Sequence, residues 1–152
     1  WLIKYPCIVS YSDIYYTSEA LRLLIQSKPD LSITYDPNWF ELWSKRFSDP
    51  LVDAETFKIN ADGEVVEIGN KPDTVDEIQG QYMGLTYIAP KAWEKLKISR
   101  RSYSIKDRDS LHMTTLLQRV IEDGMISLKG IKYEGIWGEY DSMNDLGIKL
   151  VN

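Results

Sequence analysis

The chain has 152 residues, 43% of them hydrophobic and 27% charged, with a formal net charge of −5. That length and apolar content suit one domain with a real core, and the acidity argues against a nucleic-acid binder, which carries a basic face. No run of residues is long and apolar enough for a transmembrane helix and no basic-apolar leader opens the sequence, so no membrane or secretory role is expected. The single cysteine, Cys7, excludes an internal disulfide and fits a reducing cytoplasm; with one histidine it is also too little for a zinc site.

In chain order, Ile8 to Ser10 reads as a short buried strand bounded by Pro6 and Ser12-Asp13. Thr17 or Ser18 can cap a helix with Leu21, Leu24 and Ile25 on one face, stopped by Lys28-Pro29-Asp30. Leu31 to Tyr35 is a second strand, and the strand–helix–strand order favours parallel pairing. Asp36-Pro37 reads as a cap followed by proline at the first helical position, opening an amphipathic helix through Trp39, Leu42, Trp43 and Phe47 that ends at Asp49-Pro50.

Thr56 to Ile59 and Val65 to Ile68, joined by Asn60-Ala61-Asp62-Gly63, predict a β-hairpin. Gly80 to Ile88 is a further strand, followed by a helix from Pro90 to about Lys97. Ser99 to Asp109 has no apolar period and reads as a loop. Met113, Leu116, Leu117, Val120 and Ile121 then trace a helix that Gly124 can terminate. Ile126 to Tyr133 and Ile136 to Tyr140 are short strands, and Asp141-Ser142 leads to a terminal helical turn with Leu146. The order is α/β with inserted antiparallel strands.

Asp13 and Asp141 each lie at the end of a strand-like run. A carboxylate leaving the carboxyl end of a strand points into the crevice where open α/β sheets bind ligands. Two of them brought together make a hard oxygen site for Mg²⁺ and a bound phosphate; each alone reads equally as a turn or helix cap. Lys71, fixed by Pro72 just past a strand, can reach a phosphate as a point charge or stand in solvent. Glycines within Gly80-Gln81-Tyr82-Met83-Gly84-Leu85 mark either a close ligand approach or tight packing. Asp53 and Glu55, beside Arg46, Asp49 and Lys58, either grip an amino-bearing group or form surface ion pairs. His112 starts a helix, Cys7 reads as a small core residue, and Trp137 is placed either in a pocket or in the core.

Taken in order, the motifs resemble a known family. They are Ile8-Val9-Ser10-Tyr11-Ser12-Asp13-Ile14, Asp62-Gly63 with Glu67-Ile68 and Lys71-Pro72, Gly84-Leu85, and Trp137-Gly138-Glu139-Tyr140-Asp141-Ser142-Met143-Asn144-Asp145-Leu146. With the stretch from Asp36-Pro37-Asn38-Trp39 through Arg46 to Leu51, and Asp53-Ala54-Glu55, they look like the nucleotidyltransferases that make activated sugars and alcohols, and most like the cytidylyltransferase branch.

The resemblance implies a Rossmann-like three-layer (GT-A-like) α/β fold with a mixed sheet. It implies Mg²⁺ as cofactor, held by Asp13 and Asp141, with Lys71 on the acceptor's phosphate and Tyr82, Gly84, Glu55, Trp137 and Glu139 lining the substrate site. The partners implied are a nucleoside triphosphate, CTP being favoured, and a small phosphorylated or phosphonate acceptor; a homodimer stays open. The family's glycine-rich loop after its first strand has no counterpart here, since the first glycine is Gly63, so residues 1–152 are expected to be one partial catalytic domain without its N-terminal nucleotide-binding segment. Two rivals are a non-catalytic domain of this fold and a nucleotide-sugar glycosyltransferase; the latter usually carries Asp-x-Asp at the strand end, where this chain has Asp13-Ile14-Tyr15.

Overall fold

The computed structural model describes residues 3–143 and Asp145; Trp1, Asn144 and Leu146 lie outside the described residues. Its central sheet is built from β1 (Cys7–Ser10), β3 (Leu31–Asp36), β6 (Gln81–Ile88) and β7 (Lys129–Lys132), in the order β1-β6-β3-β7. Two antiparallel ribbons accompany it: β2 (Ile14–Tyr16) with β8 (Trp137–Glu139), and β4 (Phe57–Ile59) with β5 (Val65–Ile68). The helices are α1 (Ser18–Ser27), α2 (Trp39–Arg46), α3 (Pro90–Arg101), α4 (Ile105–Asp109) and α5 (Met113–Asp123).

The long strand β6 is largely buried, as its near-continuous apolar run requires of a central strand. It runs antiparallel to both neighbours. The parallel pairing expected between the first strand and Leu31–Tyr35 is therefore corrected: β1 and β3 point the same way, but β6 lies between them. The parallel partner of β3 is β7, with Ile33 opposite Gly130. The sheet is mixed, as the family resemblance implied.

Successive side chains alternate across a strand, so the sheet feeds two cores. Val9, Leu31, Ile33 and Ile88 pack with the β4–β5 hairpin, α3 and α5. Ile8, Met83, Leu85 and Ile131 pack with α1, α2 and Trp137. Apolar layers on both faces of one sheet make the three-layer arrangement.

Local signals explain most elements. Thr17 caps α1, its hydroxyl accepting the Glu19 N–H, and Lys28 ends it in the left-handed region at φ 44°. Gly124 closes α5 the same way at φ 60°. Several boundaries differ from expectation. Asp36 is the last residue of β3 rather than a cap, and α2 begins only at Trp39. That helix stops at Arg46; Asp49-Pro50 instead opens a 3-10 turn, with the Asp49 carboxylate accepting the Leu51 N–H at 3.0 Å.

Helix α3 runs on to Arg101, because Ser99 turns inward to donate to Asp123 at 2.6 Å. The supposed loop holds α4, whose five exposed or half-buried residues leave no apolar period to read; Ser104 caps it. Ile25 is 54% exposed, and Ala20 takes its place beside Leu24 in the core. The strand expected over 126–133 contracts to β7.

Candidate active site

The β2–β8 ribbon joins the two ends of the described chain. Ile14 pairs with Glu139 and Tyr16 with Trp137, and the Tyr140 N–H donates to the Asp13 carbonyl at 2.9 Å. Asp13 therefore sits across from Tyr140, one residue from Asp141. The predicted pair of carboxylates, remote in sequence, occupies neighbouring backbone positions, and both residues are exposed.

Arg46, in the last turn of α2, organises this corner. Its side chain is 1% exposed, and each nitrogen meets a different carboxylate: Nη1 on Glu139, Nη2 on Asp141 at 2.5 Å and Nε on Asp145 at 2.9 Å. The rings of Trp43 and Phe47 lie 5.3 Å and 4.9 Å from the guanidinium. A buried guanidinium needs such partners, since an unpaired charge there is costly. Burial opposes its charge, but the bonds to Asp145, Glu139 and Asp141 prevail and raise its pKa. Asp145 in turn accepts the backbone N–H groups of Asp141 (3.1 Å) and Ser142 (2.7 Å) and the Ser142 hydroxyl (3.0 Å). Burial works to raise the Asp145 pKa, yet these bonds and Arg46 bring it below its usual value. Burial pushes Glu139 up to about 7 against the pull of Arg46, with Asp141 adding to the rise.

A second group converges on Tyr11. Its N–H donates to the Gly84 carbonyl at 3.0 Å, and its ring stands edge-on to Tyr82 at 5.7 Å. Burial first, then the charges of Glu55, Asp13 and Glu139, drive its hydroxyl up to about 12. Glu55 is raised by burial, offset by the Thr114 hydroxyl at 3.2 Å and by the nearby His112.

The other expected residues fall differently. Trp137 does not line a cleft: it is 4% exposed, packs on Trp43, and donates its indole N–H to Asp36 at 2.8 Å. An indole is large enough to fill the core and polar enough to pair there with a buried carboxylate. Glu139 faces Arg46 rather than open space. The close approach at Gly84 is made by Tyr11, whose ring atoms lie 2.9 Å from where a Cβ would stand. Tyr82 turns its hydroxyl to Thr86 at 2.6 Å. Lys71 is exposed and donates to the carbonyls of Leu51 and Val52, the latter at 2.9 Å. Asp53 accepts the Trp43 indole N–H at 3.2 Å. Trp39 is buried, with its indole on the Ile78 carbonyl.

Sequence reasoning passed over Arg46, Asp145 and Tyr11 as site residues. Arg46 left a signal, because it takes the i+7 position on a face otherwise formed by Trp39, Trp43 and Phe47. A cation on an apolar face predicts a buried ion pair. Asp145 and Tyr11 left none beyond their place in the motifs.

Among the described residues, no group of three or more His, Cys, Asp or Glu side chains is arranged to hold a metal by itself. Two aspartates at neighbouring positions nevertheless suit Mg²⁺, which is commonly bound through one or two carboxylates with water and substrate phosphates completing its shell. The corner also sets three carboxylates against one guanidinium, an excess of negative charge that favours a cation.

No family model matches the chain. It is 36% identical over 156 aligned positions to a CTP:phosphoglutamine cytidylyltransferase from Campylobacter jejuni, covering 97% of this chain and 60% of that protein. Its fold matches the inositol-1-phosphate CTP transferase from T. maritima with a TM-score of 0.68 at 17% identity, over 95% of this chain and 52% of the other. It also matches a Bacillus anthracis protein described as a glucose-1-phosphate thymidylyltransferase, with a TM-score of 0.66 at 12% identity, over 98% of this chain and 58% of the other. The chain is thus similar over nearly its whole length to a cytidylyltransferase and shares the fold of two nucleotidyltransferases, and it spans 60% of the length of the curated relative. Among the described residues no helix is long and apolar enough to cross a membrane.

Proposed function

We propose that this chain carries the metal- and acceptor-binding part of a Mg²⁺-dependent cytidylyltransferase acting in the cytoplasm. In this reaction a phosphate oxygen of a small phosphorylated acceptor attacks the α-phosphorus of CTP. A new P–O bond forms, the bond from that phosphorus to the oxygen bridging the β-phosphate breaks, and pyrophosphate leaves with the electron pair. An acceptor phosphate already ionised at neutral pH needs no general base, in keeping with a chain that has one histidine. Positioning and charge neutralisation supply most of the rate.

The observation that carries this proposal is the placement of Asp13 and Asp141 at neighbouring positions at one end of the β2–β8 ribbon, in a chain 36% identical to a cytidylyltransferase. Asp13 and Asp141 would hold the cation, which when bound neutralises charge developing on the phosphates. Lys71 is the acceptor-phosphate residue in this scheme, exchanging two backbone carbonyls for phosphate oxygens. Glu55, half-buried beside the Thr114 hydroxyl, recognises a hydrogen-bond donor on the acceptor in this scheme.

The test is pyrophosphate release by the full-length protein given CTP, Mg²⁺ and a panel of phosphorylated amides, amines and polyols. Turnover with CTP and one acceptor class is expected; no release with any nucleoside triphosphate and acceptor overturns the proposal. Asp13→Ala and Asp141→Ala are each expected to lower kcat at least a hundredfold while leaving the fold intact, and Lys71→Met to raise the acceptor's KM more than it lowers kcat.

A further inference from the structure

The proposed metal site explains Asp141 but not why a helix so far away in sequence delivers a buried arginine to it. We propose that Arg46 is the positioning residue for Asp141, acting with Asp145 to set the carboxylate that receives the metal. The inference rests on Asp13 and Asp141 being the metal ligands.

Arg46 and Asp145 hold Asp141 in two ways. Arg46 Nη2 takes one carboxylate oxygen, Oδ2, at 2.5 Å. Asp145, fixed by Arg46 Nε through Oδ1, uses Oδ2 to accept the Asp141 backbone N–H. Side chain and backbone of Asp141 are thus tied to one guanidinium. The side chain of Arg46 is 1% exposed and that of Asp145 5%, whereas that of Asp141 is 47% exposed. Two buried groups therefore present a third at the surface, beside Asp13.

Trp43 and Phe47 flank the guanidinium, and its third carboxylate contact, to Glu139, restrains it further. A planar fork with donors on three nitrogens can meet three carboxylates at once, which a single ammonium cannot reproduce. Groups that orient metal ligands in this manner typically alter metal affinity by about 10–100-fold when removed.

The measurement is Mn²⁺ affinity of the full-length protein, followed by the electron-spin resonance of free Mn²⁺ and by water-proton relaxation, without turnover. Arg46→Lys, Asp145→Asn and Asp141→Ala are compared with the parent, with circular dichroism and melting as fold controls. Asp141→Ala is expected to abolish specific Mn²⁺ binding. Asp145→Asn keeps the volume and Arg46 but weakens the grip on the Asp141 loop, and is expected to weaken Mn²⁺ about tenfold. Arg46→Lys is expected to weaken it at least as much. If Arg46→Lys does not fold, Asp145→Asn decides the matter alone. Loss of binding in Asp141→Ala with parent-like or tighter binding in the folded Arg46 and Asp145 variants overturns the positioning role and leaves the metal assignment standing. Parent-like binding in Asp141→Ala overturns the metal assignment and the inference with it.

Discussion

Two residues carry sharp consequences for stability. Gly84 sits in mid-strand at φ +82°, and a Cβ there would stand 2.9 Å from the Tyr11 ring. An L side chain pays both for the left-handed backbone and for displacing the ring. Gly84→Ala is expected to destabilise the protein by about 1–3 kcal/mol in urea titration. Asp36 is the second. Burial raises its pKa, against the hydrogen bonds from Trp137 and Asn38. A carboxylate whose pKa is raised by folding opposes folding when ionised: the penalty is full above the folded value and is relieved as the pH falls through it towards the unfolded value. Trp137→Phe removes the indole donor and lifts the Asp36 pKa further. It is expected to cost about 1–3 kcal/mol near pH 8 and clearly less near pH 4.5, by denaturant titration at both. An equal loss at both pH values would show that Asp36 is not the group responsible.

At the scale of elements, α5 was readable because its apolar positions repeat with helical period and Gly124 stops it; Leu117 and Val120 are indeed fully buried. Leu117→Ala is expected to cost about 2–5 kcal/mol in chemical denaturation, since a packed core relaxes only in part around the cavity left behind. The β4–β5 hairpin was readable from its turn residues for similarly local reasons. What was not readable follows from contacts distant in sequence. Helix α4 has no buried residue and rests on capping by Ser104, with Arg108 donating to the Tyr103 and Arg101 carbonyls nearby. Helix α2 showed its apolar face, but what Arg46 meets on that face comes from residues 139 to 145.

At the scale of the molecule, β6 feeds both cores and β3, paired to it, feeds the first, so neither core can open without disturbing the other. Their amides are expected to exchange with solvent only through global unfolding, whereas those of the small β2–β8 ribbon exchange earlier. Adding Mg²⁺ with CTP is expected to slow exchange in the ribbon selectively; exchange unchanged by both would count against a ligand site there.

From its own order of residues the chain determined most of the alternation of helices and strands, the ends of α1 and α5, the hairpin and the identity of Asp13 and Asp141 as candidates, because caps, turns and apolar periods act over a few residues. Only the tertiary structure decided that β6 parts β1 from β3, that Trp137 is core, and that Arg46 and Asp145 hold Asp141. Those outcomes depend on which distant segments meet, and chain ends brought together by a two-stranded ribbon leave little local trace of it.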